Sequence, residues 1–179
     1  ASLVKDINTS ASFNVGASDP AGFVAAGNQV FFAASTLNEG RELWKSDGTP
    51  GGTVLVKDII AGTGGSNPQY LTSMSGTLFF SAYYGPNGTE LWKTDGTSAG
   101  TVLVKDICPG NGHSNPSFLT ELKGQLFFTA FDGAHGTELW RSDGTEEGTQ
   151  LVKDLNNGSG SYKPVDLVNL NGLLYFYLD

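Results

Sequence analysis

At 179 residues the chain is long enough for one domain with a real core. A charged fraction of 16% and a hydrophobic fraction of 39% exclude a disordered chain, and no run reaches the ~18 apolar residues of a transmembrane helix. The net charge is −8, and Arg41 and Arg141 are the two arginines, a balance that argues against nucleic acid, anionic membrane surfaces and membrane insertion. Cys108 is the single cysteine, so no internal disulfide can form, and it reads as a packing residue rather than a nucleophile.

In chain order, Leu3-Val4-Lys5-Asp6-Ile7 reads as the closing strand of a unit whose earlier part is absent. Residues 8–22 form a loop rich in Ser, Asn, Gly and Pro. Then come residues 23–26, a turn at Gly27-Asn28, residues 30–34, residues 42–47, a Gly-Thr turn, and residues 54–59. The same order follows twice more. Residues 70–74, a Ser75-Gly76 turn and residues 78–82 are matched by residues 118–122, a Lys123-Gly124 turn and residues 126–131. The last stretch holds residues 165–170, a turn at Asn171-Gly172 and residues 173–178. Two-residue turns containing glycine, set between runs of β-formers, signal hairpins. No window keeps a 3.6-residue apolar period, so no helix is expected.

Glu42-Leu43-Trp44, Glu90-Leu91-Trp92 and Glu138-Leu139-Trp140 place tryptophans at 44, 92 and 140, a constant step of 48. Each is followed by Asp-Gly-Thr and then by Leu-Val-Lys-Asp. The second apolar run of each unit, such as Leu126-Phe127-Phe128, lacks alternation and so needs both faces covered. Four short strands per unit, repeated at this period, predict an all-β, β-propeller-type repeat with four-stranded antiparallel blades. About four blades are expected, the last incomplete. The whole chain, 1–179, is one repeat domain: the final strand of a preceding blade at 1–7, blades at 8–59, 60–107 and 108–155, and two strands of a further blade at 156–179.

Leu-Val-Lys-Asp-Ile, Ser-Asn-Pro, Leu-Phe-Phe, Gly-Thr-Glu-Leu-Trp and Asp-Gly-Thr recur in register over units 55–102 and 103–150. These residues resemble the ELWxxDGT repeat family of secreted and surface bacterial proteins, over nearly the whole chain. The resemblance implies a propeller-like, extracellular or cell-surface, bacterial, non-enzymatic repeat protein, and it supplies no ligand. The departures are the longer loop at 8–22, Arg41 where the other units have Thr89 and Thr137, and the last unit, which has no Glu-Leu-Trp.

Asp47, Asp95 and Asp143 precede Gly-Thr and are expected to accept backbone N–H bonds inside their own turns. The pattern looks like the structural Asp-box turn of sialidase-type propellers. A Ca²⁺ site is the alternative, but one carboxylate beside Gly-Thr falls short of the six to eight oxygens calcium takes. Trp44, Trp92 and Trp140 are expected as wedges between blades, with sugar-stacking platforms as the alternative. Lys57, Lys105 and Lys153 read as charges that protect an outer strand edge. Neither His113 nor His135 has a repeated partner, and the unplaced carboxylates Glu121, Asp132, Glu146 and Glu147 form no recognisable catalytic pair.

Tyr84, Asn87, Asn111, His113, Asp132 and His135 lie in the variable loops, where recognition sites usually sit on rigid scaffolds. Two functions remain in view. One is a structural or adhesive scaffold acting through protein contacts. The other is a carbohydrate-binding propeller with shallow sites in the loops, similar in logic to the tachylectin type. The apolar run at 173–178 would be an open strand edge, so a protein partner, a second copy or more chain is expected to cover it.

Overall fold

The computed structural model describes residues 3–8, 16–155 and 162–179. It is all-β: among these residues there is no α-helix, only one turn of 3₁₀-helix at Gly85–Asn87. No helix here is long and apolar enough to cross a membrane.

The first sheet holds β1 (Ala21–Ala26), β2 (Gln29–Thr36), β3 (Gly40–Ser46) and β4 (Val54–Lys57), each antiparallel to the next. The second holds β5 (Gln69–Met74), β6 (Thr77–Tyr84), β7 (Gly88–Thr94) and β8 (Val102–Lys105). The third holds β9 (Ser117–Leu122), β10 (Gln125–Phe131), β11 (Thr137–Ser142) and β12 (Gln150–Lys153). A two-stranded sheet of β13 (Pro164–Leu170) and β14 (Leu173–Leu178) follows. The first strands of successive sheets, β1, β5, β9 and β13, neighbour one another in sequence order.

The sheets stack face to face, which is why the second strand of each shows no alternation. Phe31 and Phe32 are both buried, although they point to opposite faces. Phe31 joins Leu78, Phe80 and Trp92 of the second sheet in one apolar cluster, while Phe32 packs with Trp44 and Ile7 on the other side. One unit later, Phe79 meets Leu126, Phe128 and Trp140.

Each first strand carries a bulge at an equivalent position, where the backbone turns left-handed: Gly22, Tyr70, Phe118 and Asp166 have φ of 70°, 53°, 54° and 53°. Glycine accepts this geometry freely, but a bulky residue does not. Two residues on, a threonine hydroxyl bridges to the next sheet. Thr72 Oγ1 stands 3.1 Å from Tyr70 O and 3.0 Å from Leu119 O, and Thr120 Oγ1 stands 2.9 Å from Phe118 O and 3.0 Å from Leu167 O. Val24 occupies this position in the first sheet and has no hydroxyl to offer.

The far end of each sheet is stapled as well. Lys57 Nζ donates to Thr101 O at 2.8 Å and Lys105 Nζ to Thr149 O at 2.9 Å, each reaching from a fourth strand into the next sheet. These lysines therefore hold a joint between sheets, in place of the edge protection expected from sequence. Lys153 is exposed.

Residues 3–8 differ from the expected strand: they form no ladder. The segment still keeps the position of a fourth strand, because Lys5 Nζ donates to Thr53 O at 2.7 Å and Ile7 packs on the Phe32–Trp44 face.

Thr120→Val should lower stability by about 1 kcal/mol, since Leu167 O loses its donor across the joint. Val24→Thr should raise stability by up to about 1 kcal/mol by giving Leu71 O the missing donor. Urea denaturation of both variants measures this, and two neutral results would show that the hydroxyl bridges contribute nothing.

Candidate functional site

The Asp-Gly-Thr turns are closed systems. Asp95 Oδ1 accepts from Thr97 N at 2.8 Å and from Thr97 Oγ1 at 2.7 Å. Gly100 N donates back to Thr97 Oγ1 at 2.9 Å, and Thr101 Oγ1 bonds Thr97 O and Thr94 Oγ1. Asp47 and Asp143 repeat the arrangement through Thr49 and Thr145. The second glycine of the motif is required by close approach: a Cβ on Gly100 would lie 2.2 Å from Asp95 Oδ1. The threonine hydroxyl and amide hold all three carboxyls below the usual aspartate range. Among the described residues, no three His, Cys, Asp or Glu side chains gather where they could hold a metal ion.

Trp44, Trp92 and Trp140 are buried to 8%, 5% and 7% exposure. Trp92 packs among first-sheet residues and Trp140 among second-sheet residues, as wedges between sheets, while Trp44 packs with Phe32, Leu55 and Ile7; Trp92 also borders a cleft beside Tyr84 and Lys57. Their indole nitrogens have no hydrogen-bond partner.

Most of the loop residues expected to meet a ligand are engaged within the fold. Tyr84 lies edge-on to Trp92, with ring centroids 5.7 Å apart. Asn87 Nδ2 donates to Asp106 Oδ2 at 2.6 Å. His113 accepts from Thr89 N through Nδ1 at 3.1 Å and stacks on Tyr83. Asp132 Oδ1 accepts from Ala134 N and His135 N, while its Oδ2 lies 2.7 Å from His135 Nδ1. Burial would push Asp132 up, but these bonds outweigh it and the carboxyl sits below its usual range. The same bond with Asp132 raises the His135 imidazole. Asn111 is an exposed turn residue. Cys108 is buried, and burial raises its thiol further from ionisation.

Sequence reasoning missed the most buried polar group. Glu42, Glu90 and Glu138, the glutamates before Leu-Trp, are 0%, 0% and 1% exposed. Each reaches from a third strand to the crossing that leads to the next sheet. Glu90 Oε2 accepts from Ile107 N at 3.0 Å and from Ser114 Oγ at 2.5 Å, and Oε1 accepts from Ser114 N at 2.9 Å. Glu42 does the same with Ile60 N and Ser66. Tyr162 stands where the serine would be in the last unit, and Glu138 keeps Leu155 N while its Oε1 has no hydrogen-bond partner among the described residues. Burial drives all three carboxyls upward, and Glu90 reaches about 7. The signal was present in the sequence as a Glu and a Ser 24 residues apart, at 42 and 66 and again at 90 and 114.

Between successive sheets, where the crossings meet the bulged first strands, lie three equivalent clefts. The first, 300 Å³, is bordered by Gly22, Arg41, Gln69 and Tyr70. The second, also 300 Å³, is bordered by Gln69, Tyr70, Ser81, Tyr83, Asn115 and Ser117. The third, 290 Å³, includes Phe118, Thr129, Phe131 and Lys163. From the expected set, His113 adjoins this row through its stack on Tyr83, while Tyr84 borders a different cleft beside Trp92. The sequence signal for the clefts was Gly22 standing in register with Tyr70 and Phe118, which marks a bulge.

No protein-family model matches the chain, and no curated protein does. Among solved structures, the computationally designed Ika8 protein aligns over 87% of this chain and 41% of its own, at 16% identity and a TM-score of 0.45. The chain thus spans less than half of that protein, and a likeness this loose carries no argument.

The glutamates make stability depend on pH with a defined sign. Between about 4.5 and about 7 the folded chain holds a proton at Glu90 that the unfolded chain has released. Stability from this group is therefore full below the unfolded value and is lost as pH rises through about 7. Urea midpoints should fall across that window. Glu90→Gln should be less stable by about 1–3 kcal/mol, because an amide nitrogen must face one of the N–H donors, yet its midpoints should change less with pH. An unchanged slope in Glu90→Gln would assign the effect elsewhere.

Proposed function

We propose that the chain is an arc of a β-propeller, with blades at the three four-stranded sheets and a partial blade at β13–β14, serving as a non-catalytic, extracellular, bacterial scaffold that acts through protein contacts. The observation that carries this reading is where the repeated residues direct their chemistry. The glutamates bond the crossings, the aspartates bond their turns, the tryptophans fill the joints, and the lysines staple one sheet to the next. These recurring residues, Lys153 apart, build the array. Two of the carboxylates considered for glycoside hydrolysis support the same reading, since Glu121 Oε1 accepts from Gly124 N and Asp132 is bound within its own loop. The extracellular and bacterial parts rest on the resemblance of the Glu-Leu-Trp and Asp-Gly-Thr repeats to the ELWxxDGT family.

The contact surface is the outward face of the last hairpin. Val168, Leu170, Tyr175 and Tyr177 are 53%, 55%, 52% and 57% exposed. Tyr175 stands in register with Phe31 and Phe79, which the following sheet buries. A sheet of the same construction is the occupant this face fits, supplied by more of the same polypeptide, by a second copy or by a partner. The loop residues lend the carbohydrate alternative little support, since Tyr84, Asn87, His113, Asp132 and His135 are bonded or stacked within the fold.

Sedimentation of the 179-residue chain at micromolar concentration tests the surface. Self-association is expected, and Tyr175→Lys with Tyr177→Lys should abolish it. A monomer at every concentration, with Tyr175 and Tyr177 slow to react with a tyrosine reagent, would overturn the proposal.

A further inference from the structure

The row of clefts between the sheets is unused by the scaffold reading, and one of them has the makings of a binding site. We propose that the cleft between the second and third sheets binds a neutral pyranose sugar, with Tyr70 as the face on which the ring lies. This inference does not rest on the scaffold reading or on the last hairpin.

The first argument is strain. Tyr70 holds a left-handed backbone, with φ of 53°, on an aromatic residue. Such a position costs about 1–3 kcal/mol. Gly22 fills the same place in the first sheet, so the bulge itself needs no side chain. The side chain is not there for the core either, since Tyr70 is 44% exposed. A strained, half-exposed aromatic is thus held at the mouth of a concave site where glycine would serve the fold better.

The second argument is the chemistry of the walls. Tyr70 and Tyr83 are the aromatic walls of this cleft; Tyr83 is backed by His113, and the Tyr70 ring is buttressed by Phe118 of the third cleft, with ring centroids 5.9 Å apart. Between them stand Gln69, Ser81, Asn115 and Ser117, whose hydroxyl and amide groups offer donors and acceptors. Vicinal sugar hydroxyls need such groups, because each both donates and accepts. Sugar C–H groups need an apolar ring face, which Tyr70 offers. No Asp, Glu, Lys or Arg borders this cleft.

The third argument is contrast within the row. The first cleft has Arg41 on its border and the third has Lys163, whereas the second has neither. In the first cleft the aromatic is Tyr70 alone, with Gly22 opposite. Three repeats of one geometry therefore carry three different chemistries, and the neutral one combines two aromatic walls, Tyr70 and Tyr83, with uncharged hydroxyl and amide groups. At 300 Å³ it admits a single ring rather than an extended chain.

Saturation-transfer NMR and titration calorimetry on the 179-residue chain test this with the methyl glycosides of glucose, galactose, mannose and N-acetylglucosamine, and with methyl glucuronate as the anionic arm. At least one neutral glycoside should bind with millimolar affinity. Tyr70→Gly should weaken it by about tenfold or more while the melting temperature stays level or rises, because φ of 53° suits glycine. Ser117→Ala and Gln69→Ala should also weaken binding without touching the bulge, which keeps the test open if Tyr70→Gly folds poorly. Absence of neutral-sugar binding at millimolar concentration overturns the proposal. So does binding that all three substitutions leave unchanged, and so does binding of methyl glucuronate alone, which would place the sugar beside Arg41 or Lys163.

Discussion

Everything in this fold depends on a carboxyl group buried where carboxyl groups seldom go. The glutamate ahead of Leu-Trp sits on a third strand, and the amides it binds lie on the crossing to the next sheet. Two connections that share no ladder are thereby fixed to each other. Where the crossing goes, the next first strand must start, so this one side chain sets the spacing of the stack. With no cation beside it, the group meets the cost of burial by shifting toward its neutral form. Several N–H and O–H donors keep it satisfied in the meantime, and the serine that closes the set recurs with it.

Once the spacing is set, three further contacts secure each joint. Apolar rings from facing sheets fill the middle, a threonine hydroxyl bridges the first strands, and a lysine reaches across at the fourth. Each is modest alone. They act at different distances along the strands, so sliding or rocking one sheet on another would break at least one of them. The joint between the first two sheets lacks the hydroxyl bridge, and glycine replaces the aromatic at its bulge. The two changes agree: with no side chain to hold in a left-handed pose, there is less need to capture the carbonyl beside it.

Much of this was legible in the sequence. The strands follow from the apolar runs and from turns such as Lys123-Gly124, which adopts φ of 53° and 76° as a tight hairpin demands. The doubly buried second strands followed from the absence of alternation. The aspartate turns and tryptophan wedges are where their neighbours placed them. Glu90 escaped because a charged residue inside a strand is ordinarily read as a solvent-facing one, and only its donors, 17 and 24 residues away, make burial tolerable. The bulges escaped because Tyr70 and Phe118 are strong strand formers whose identity gives no hint of a left-handed backbone. The lysines were misjudged because their acceptors lie in the next unit, 44 residues on. Tyr84, Asn87 and His135 looked available because a loop sequence does not show which of its own groups it will bind.

The identity of one joint with the next has a mechanical side. A linear stack whose members touch only their neighbours stores its resistance in separate, nearly equal parcels. Pulled by its two ends, such a chain should give way one sheet at a time, starting where a sheet has a single neighbour. Each step would release one 48-residue unit, or about 160–170 Å of extended chain. A chain built this way would lengthen in increments under load and recover the same increments when the load is removed.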